Sequence, residues 1–230
     1  MADPVEIDRD AVRWRRRDDA PLLVLLHGYG SDENDLFSLV PFLPESVTVA
    51  ALPAPLAAPW PMPGRSWYPI EELERRDAGS VTDAADAVLR WLDAEARDTP
   101  SIVLLGFSQG ASVALQTLRR DPARVAGVVN LSGYAAPGDL PLDDELRERH
   151  TPVFWGRGTR DDVIPDALVA HTAAWLPEHS ELVGRVYPGL THSVSEEELG
   201  DVRRFLDGWL AGLQARGASE DPASPESAEG

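Results

Sequence analysis

The sequence predicts an α/β protein, with a mostly parallel central sheet, helices on both of its faces and no large cap domain. Two observations carry this expectation. Short apolar runs bounded by turn residues alternate along the chain with segments of helical periodicity, the pattern of strands joined by crossover helices. Runs such as Leu22-Leu23-Val24-Leu25-Leu26 and Ile102-Val103-Leu104-Leu105 are apolar at every position rather than every second one. Strands of that kind need cover on both faces.

The elements follow in order. Residues 12–17 form a weak strand of mixed polarity, and residues 21–26 a buried strand ended by His27-Gly28-Tyr29-Gly30. Ser31 or Asp32 caps a short helix reaching Leu39. A strand at 47–52 precedes a helix capped by Thr82, with Val88, Leu89 and Leu92 on one side. The strand at 102–105 leads through Gly106-Phe107-Ser108-Gln109-Gly110 into a helix over 111–120. Strands at 125–131, 152–155 and 183–187 complete the sheet, the last two separated by a helix over 166–176. Ser195 and Glu198 make a capping box for a final helix striped by Leu199, Val202, Phe205, Leu206, Trp209, Leu210 and Leu213. The domain is expected to span 1–214, and the small, acidic, Pro/Ser-rich 215–230 to be a disordered tail.

Composition narrows the function classes. At 230 residues the chain fits one domain with ample core. With no cysteine it has no disulfide, thiolate metal site or cysteine nucleophile. The net charge is -18 and all 21 basic residues are arginine, which disfavours nucleic acid and anionic membranes as partners. The start, Met1-Ala2-Asp3-Pro4, lacks the basic and apolar regions of a signal peptide. The longest uncharged stretch, 46–64, carries five prolines, so membrane insertion is not expected. The reading is a cytoplasmic protein, its oligomeric state left open with a homodimer among the options.

The chemistry concentrates at Ser108. A serine at the tip of a sharp strand-to-helix turn is exposed for attack, and glycines two positions to either side leave the turn room to close. Helix N–H groups then face any oxyanion formed there. Serine is a weak nucleophile unless a base is within hydrogen-bond reach. His192, in the loop between the last strand and the last helix, is placed for that role, whereas His150, His171 and His179 sit in charged or helical surroundings. Asp161 and Asp162 both follow the strand ending at Trp155, and either could orient the imidazole. Backbone N–H groups of Tyr29 and Gln109 are the candidate oxyanion donors. His27 reads as a structural hydrogen-bonder. Leu56, Trp60, Met62, Trp67 and Tyr68, among several prolines, could form a stiff apolar wall for a substrate, or simply bury that segment against the domain.

Taken together, Leu26 to Leu36, Gly106 to Ala111, Gly158 to Pro165 and Gly189 to His192 resemble the carboxylesterase/phospholipase branch of the α/β-hydrolases, which includes acyl-protein thioesterases and small bacterial carboxylesterases. The resemblance spans roughly Pro21 to Leu213. It implies an α/β-hydrolase fold, Ser108 as nucleophile, His192 as base and acid, and an acyl-enzyme formed without metal or cofactor. It also selects Asp161 as the acid, four residues before Pro165. One departure is Arg157, where the family often has histidine; this should alter loop packing more than chemistry.

The expectation is therefore a serine esterase acting on small-molecule carboxylic esters. Thioester or lysophospholipid hydrolysis would use the same residues. A non-catalytic binding module is the alternative of another class, and it has no need of an activated serine. Both a high-GC genome and adaptation to high salt account for the arginine-rich, acidic composition. Under the second, moderate potassium chloride should raise the melting temperature by screening self-repulsion; a flat response up to molar salt would argue for the first.

Overall fold

The computed structural model describes residues 5–69 and 79–220. Among these, seven strands form one sheet in the order β1-β3-β2-β6-β7-β8-β9. They are β1 (Arg13–Arg15), β2 (Leu22–Leu26), β3 (Thr48–Leu52), β6 (Ile102–Phe107), β7 (Gly127–Leu131), β8 (Pro152–Gly158) and β9 (Glu181–Tyr187). Only the edge strand β1 runs antiparallel to its neighbour; every other pairing is parallel. A separate hairpin joins β4 (Leu56–Ala57) to β5 (Arg65–Ser66).

Alternation along each strand divides the core in two. Val24, Leu26, Ile102, Leu104, Val128 and Val153 face α2 (Gly79–Glu95), α3 (Gln109–Arg120) and α5 (Asp166–His179). Leu23, Leu25, Val103, Leu105, Val129 and Phe154 face α1 (Glu33–Phe37) and α6 (Glu196–Glu220). The predicted stripe of α6 does this covering through Val202, Leu206 and Trp209, with Phe205, Leu210 and Leu213 at its margin. Among the described residues no helix is long and apolar enough to cross a membrane.

Several local expectations change. Asp32, not Ser31, caps α1, its Oδ1 accepting from Asn34 N at 2.8 Å. Thr82 lies inside α2, already helical from Gly79, and accepts a bond from Gln116 Nε2 at 2.8 Å that ties α2 to α3. β8 runs on to Gly158, because β9 pairs with it over its whole length and carries Gly156, Arg157 and Gly158 into the sheet. The last helix continues to Glu220, so the first part of the expected tail is helical; 221–230 lies outside the described residues.

Two buried charges have opposite characters. Arg119 on α3 is fully enclosed and chelates Asp143, on α4 (Asp143–Arg149), through Nε to Oδ1 at 2.9 Å and Nη2 to Oδ2 at 2.7 Å. It also donates to the carbonyls of Ala136 and Gly138, fixing the segment after β7. Burial alone would raise the Asp143 carboxyl, but the bonds from Arg119 and from Leu140 N–H outweigh it and hold it below the usual carboxylate range. Glu198 has no such partner. Its N–H reaches Ser195 Oγ at 3.1 Å, one half of the capping box. Its carboxylate lies instead over Gly156, with neither oxygen in a well-formed hydrogen bond. Burial, reinforced by Asp201 and only partly opposed by Ser195 N–H, pushes this carboxyl up to about 7.

Arg119→Ala strands the Asp143 carboxylate and should cost about 3–5 kcal/mol, read from urea denaturation. Glu198 gives the opposite sign. Its folded pKa of about 7 exceeds the ordinary 4.5, so its contribution is full below 4.5 and is lost as pH rises through 7. Glu198→Gln escapes that loss. The melting-temperature advantage of the variant should therefore grow from acid toward neutral pH, and a constant difference would contradict the burial of an ionisable group.

Candidate active site

Ser108 sits between β6 and α3 at φ 53°, ψ −115°. Such a backbone costs on the order of 1–3 kcal/mol for a residue with a side chain, and it persists where the surroundings over-determine it. Here Ser108 N–H continues the sheet to Leu131 O at 2.8 Å, while its carbonyl accepts the N–H groups of Ala111 and Ser112. Both flanking glycines are sterically required. A β-carbon on Gly106 would lie 2.4 Å from Ala111 N, and one on Gly110 would lie 2.0 Å from Leu26 O.

The three expected side chains meet. His192 Nε2 is 2.8 Å from Ser108 Oγ, and Nδ1 is 2.8 Å from Asp161 Oδ2. With Nδ1–H donating to the carboxylate, Nε2 is left as the acceptor of the serine proton. Asp161 Oδ1 accepts from the N–H groups of Val163 and Ile164 at 3.0 and 3.3 Å. Burial raises the Asp161 carboxyl, yet the bonds from His192 and these two amides together leave it lowered. Asp162 points to solvent.

Backbone contacts stitch the loops carrying Asp161 and His192 together. Thr159 N–H donates to Tyr187 O and Arg160 N–H to Leu190 O, at 3.0 and 2.9 Å. Gly189, at φ 78°, donates to Thr159 Oγ1. Gly158 is glycine because a β-carbon would stand 2.0 Å from Leu190 O. Phe107 packs against the imidazole at 4.9 Å. Arg157 turns its guanidinium onto Trp155.

Beside Ser108 opens a cleft of about 250 Å³, to whose lining Tyr29 and Gln109 both contribute. Gln109 opens α3, so its N–H has no partner within the helix. The loop carrying Tyr29 is pinned by Gly30 N–H to Arg65 O and Arg65 N–H to Ser31 O. His27 is structural. Its Nδ1–H donates to Gly28 O and its Nε2 accepts from Ala54 N–H, and burial lowers its pKa.

Of the five residues considered for an apolar wall, Tyr68 alone lines this cleft. Trp67 is fully buried with its indole N–H on His27 O at 2.8 Å, Leu56 is half-buried in β4, and Trp60 and Met62 are exposed on the hairpin. The cleft is completed instead by Tyr134, Val163, Ile164 and Pro165. Their signal was positional: each lies in a loop directly after a strand at the same sheet end as Ser108.

Comparison with known proteins identifies the family. The family model described as Phospholipase/Carboxylesterase matches residues 8–210. Acyl-protein thioesterase 1 of Debaryomyces hansenii is 32% identical over 157 residues, 64% of this chain and 67% of that protein. Carboxylesterase SOBER1 of Arabidopsis thaliana is 27% identical over 157 residues, again 64% of this chain and 67% of that one. The crystal structure of esterase PE8 superposes with a TM-score of 0.72 at 26% identity, covering 89% of this chain and 99% of that one. The carboxylesterase of Bacillus cereus shares the fold, with a TM-score of 0.72 at 19% identity over 86% of this chain and 93% of that one. The chain therefore belongs to the phospholipase/carboxylesterase family of α/β-hydrolases and is a hydrolase of carboxylic esters.

Proposed function

We propose that the protein is a cytoplasmic carboxylesterase working through an acyl-enzyme on Ser108, with His192 as base and acid and Asp161 as its orienting carboxylate. The observation that carries the reading is the unbroken hydrogen-bond chain from Ser108 through His192 to Asp161, starting at a strained elbow. Ser108 Oγ attacks the ester carbonyl as its proton passes to His192 Nε2. The N–H groups of Tyr29 and Gln109 hold the tetrahedral oxyanion, a contribution of about 100- to 1,000-fold per donor. The carbon–oxygen bond to the alcohol breaks and His192 returns the proton to the leaving oxygen. Water then repeats the sequence on the acyl-enzyme, giving the carboxylic acid and free Ser108.

A second reading is hydrolysis of acyl thioesters. It is favoured by the relative named acyl-protein thioesterase 1 and needs no other residue, since a thiol leaves more readily than an alcohol.

Ser108→Ala should lower kcat/KM on p-nitrophenyl butyrate by on the order of 10⁴- to 10⁶-fold and abolish fluorophosphonate labelling while the protein stays folded. Undiminished turnover in that variant would end the serine mechanism. Asp161→Asn should cost about 10⁴-fold in kcat, because it favours the wrong imidazole tautomer, whereas Asp162→Asn should stay near wild type. Equal losses at the two positions would mean the carboxylate assignment is wrong.

A further inference from the structure

The cleft beside Ser108 is graded in burial. Val163 at its mouth is 57% exposed, whereas Tyr68 and Tyr134 are 2% and 3% exposed. The two phenol oxygens are 2.8 Å apart, joining the segment after the β4–β5 hairpin to the loop after β7. The backbone carrying each ring is held from behind. Tyr68 O accepts from Gln109 Nε2 at 2.7 Å and from Ser66 Oγ at 2.6 Å, and Trp67 N–H donates to Gln109 Oε1 at 2.8 Å. Tyr134 N–H donates to Ser112 Oγ, Ala135 N–H donates to Thr172 Oγ1, and the Tyr134 ring packs with Ile164 and Leu168. The inner end of the cleft is thus a braced surface rather than a pair of mobile side chains.

We propose that the hydrogen-bonded pair Tyr68 and Tyr134 is the inner wall of the acyl subsite and restricts the enzyme to esters of short acyl groups. This rests on the serine-esterase reading above. The alcohol must reach solvent before water can attack the acyl-enzyme, so the leaving half belongs at the open side. The half that stays on Ser108 occupies the enclosed side, where the tyrosine pair stops it. The cleft of about 250 Å³ has to take both halves of the ester, which leaves its enclosed side only part of that volume. Burial raises the pKa of both phenols, so the pair stays protonated and bonded across the working pH range. Gln109 acquires two duties: its N–H faces the oxyanion and its side chain braces the wall.

The test is kcat/KM for p-nitrophenyl esters from acetate to palmitate, measured on the wild type, Tyr134→Ala and Tyr134→Phe. A parallel series holds butyrate fixed and lengthens the alcohol. One methylene accepted or refused by a pocket is worth roughly 10- to 200-fold. The wild type should therefore lose about tenfold or more between butyrate and octanoate. Tyr134→Ala should raise the octanoate-to-butyrate ratio by about tenfold or more and leave the alcohol series unchanged. Tyr134→Phe, which keeps the ring and loses the bond, should move the ratio the same way by less. A wild-type preference for octanoate or longer overturns the wall whether or not Tyr134→Ala folds. So does an unchanged ratio in a folded variant, or a shift confined to the alcohol series. Absence of both ester turnover and Ser108 labelling in the wild type would instead overturn the serine-esterase reading itself.

Discussion

The geometry of the site depends on one close approach, the start of α3 lying against the end of β2. Gly110 stands where any side chain would meet the carbonyls of Leu26 and His27. That contact closes the turn within a single residue, where Ser108 takes a positive φ of 53° with ψ −115°. It also brings Gln109 beside the Gly28–Tyr29 loop, which begins as β2 ends. The positions of Ser108, Gln109 and the Gly28–Tyr29 loop are therefore set by one packing event. The strain of about 1–3 kcal/mol at Ser108 is stored there because both neighbouring segments are buried strands or helix that cannot relax.

The sheet register delivers the rest. Ser108 and His192 are 84 residues apart, yet both lie past the same ends of parallel strands. Pairing of β8 with β9 through Gly158 and Tyr187 leaves the loops carrying Asp161 and His192 side by side, where their backbones bond directly. Parallel pairing costs folding speed, since every contact is non-local. In return it gathers side chains from three loops without any of those loops needing to be long. Glu198 belongs to the same junction. A buried carboxyl under the strand that leads to Asp161, with neither oxygen in a well-formed hydrogen bond, is a local conflict, and such conflicts concentrate near functional sites.

What the sequence disclosed depended on how local the cause was. Continuous apolar runs located β2 and β6, because two-sided burial leaves no polar position for ambiguity, and Val125 to Val129 located β7 although buried Asn130 interrupts it. The elbow was legible because steric exclusion dictates both glycines. The end of β8 was not, since Gly156-Arg157-Gly158 reads as a turn until β9 supplies its partner strand. Glu198 looked like a capping-box residue because spacing reveals only half of that motif; the direction of its carboxylate depends on the space above Gly156. Asp161 and Asp162 were indistinguishable by local chemistry; the family resemblance chose Asp161, and the turn of the loop sets it against His192.

The wall aromatics show the same limit from the other side. Trp67 and Tyr68 are adjacent and chemically alike, yet one indole is buried behind His27 and the other ring faces the cleft. Their division is made by Gln109, which binds the backbone on both residues and so fixes which way each points.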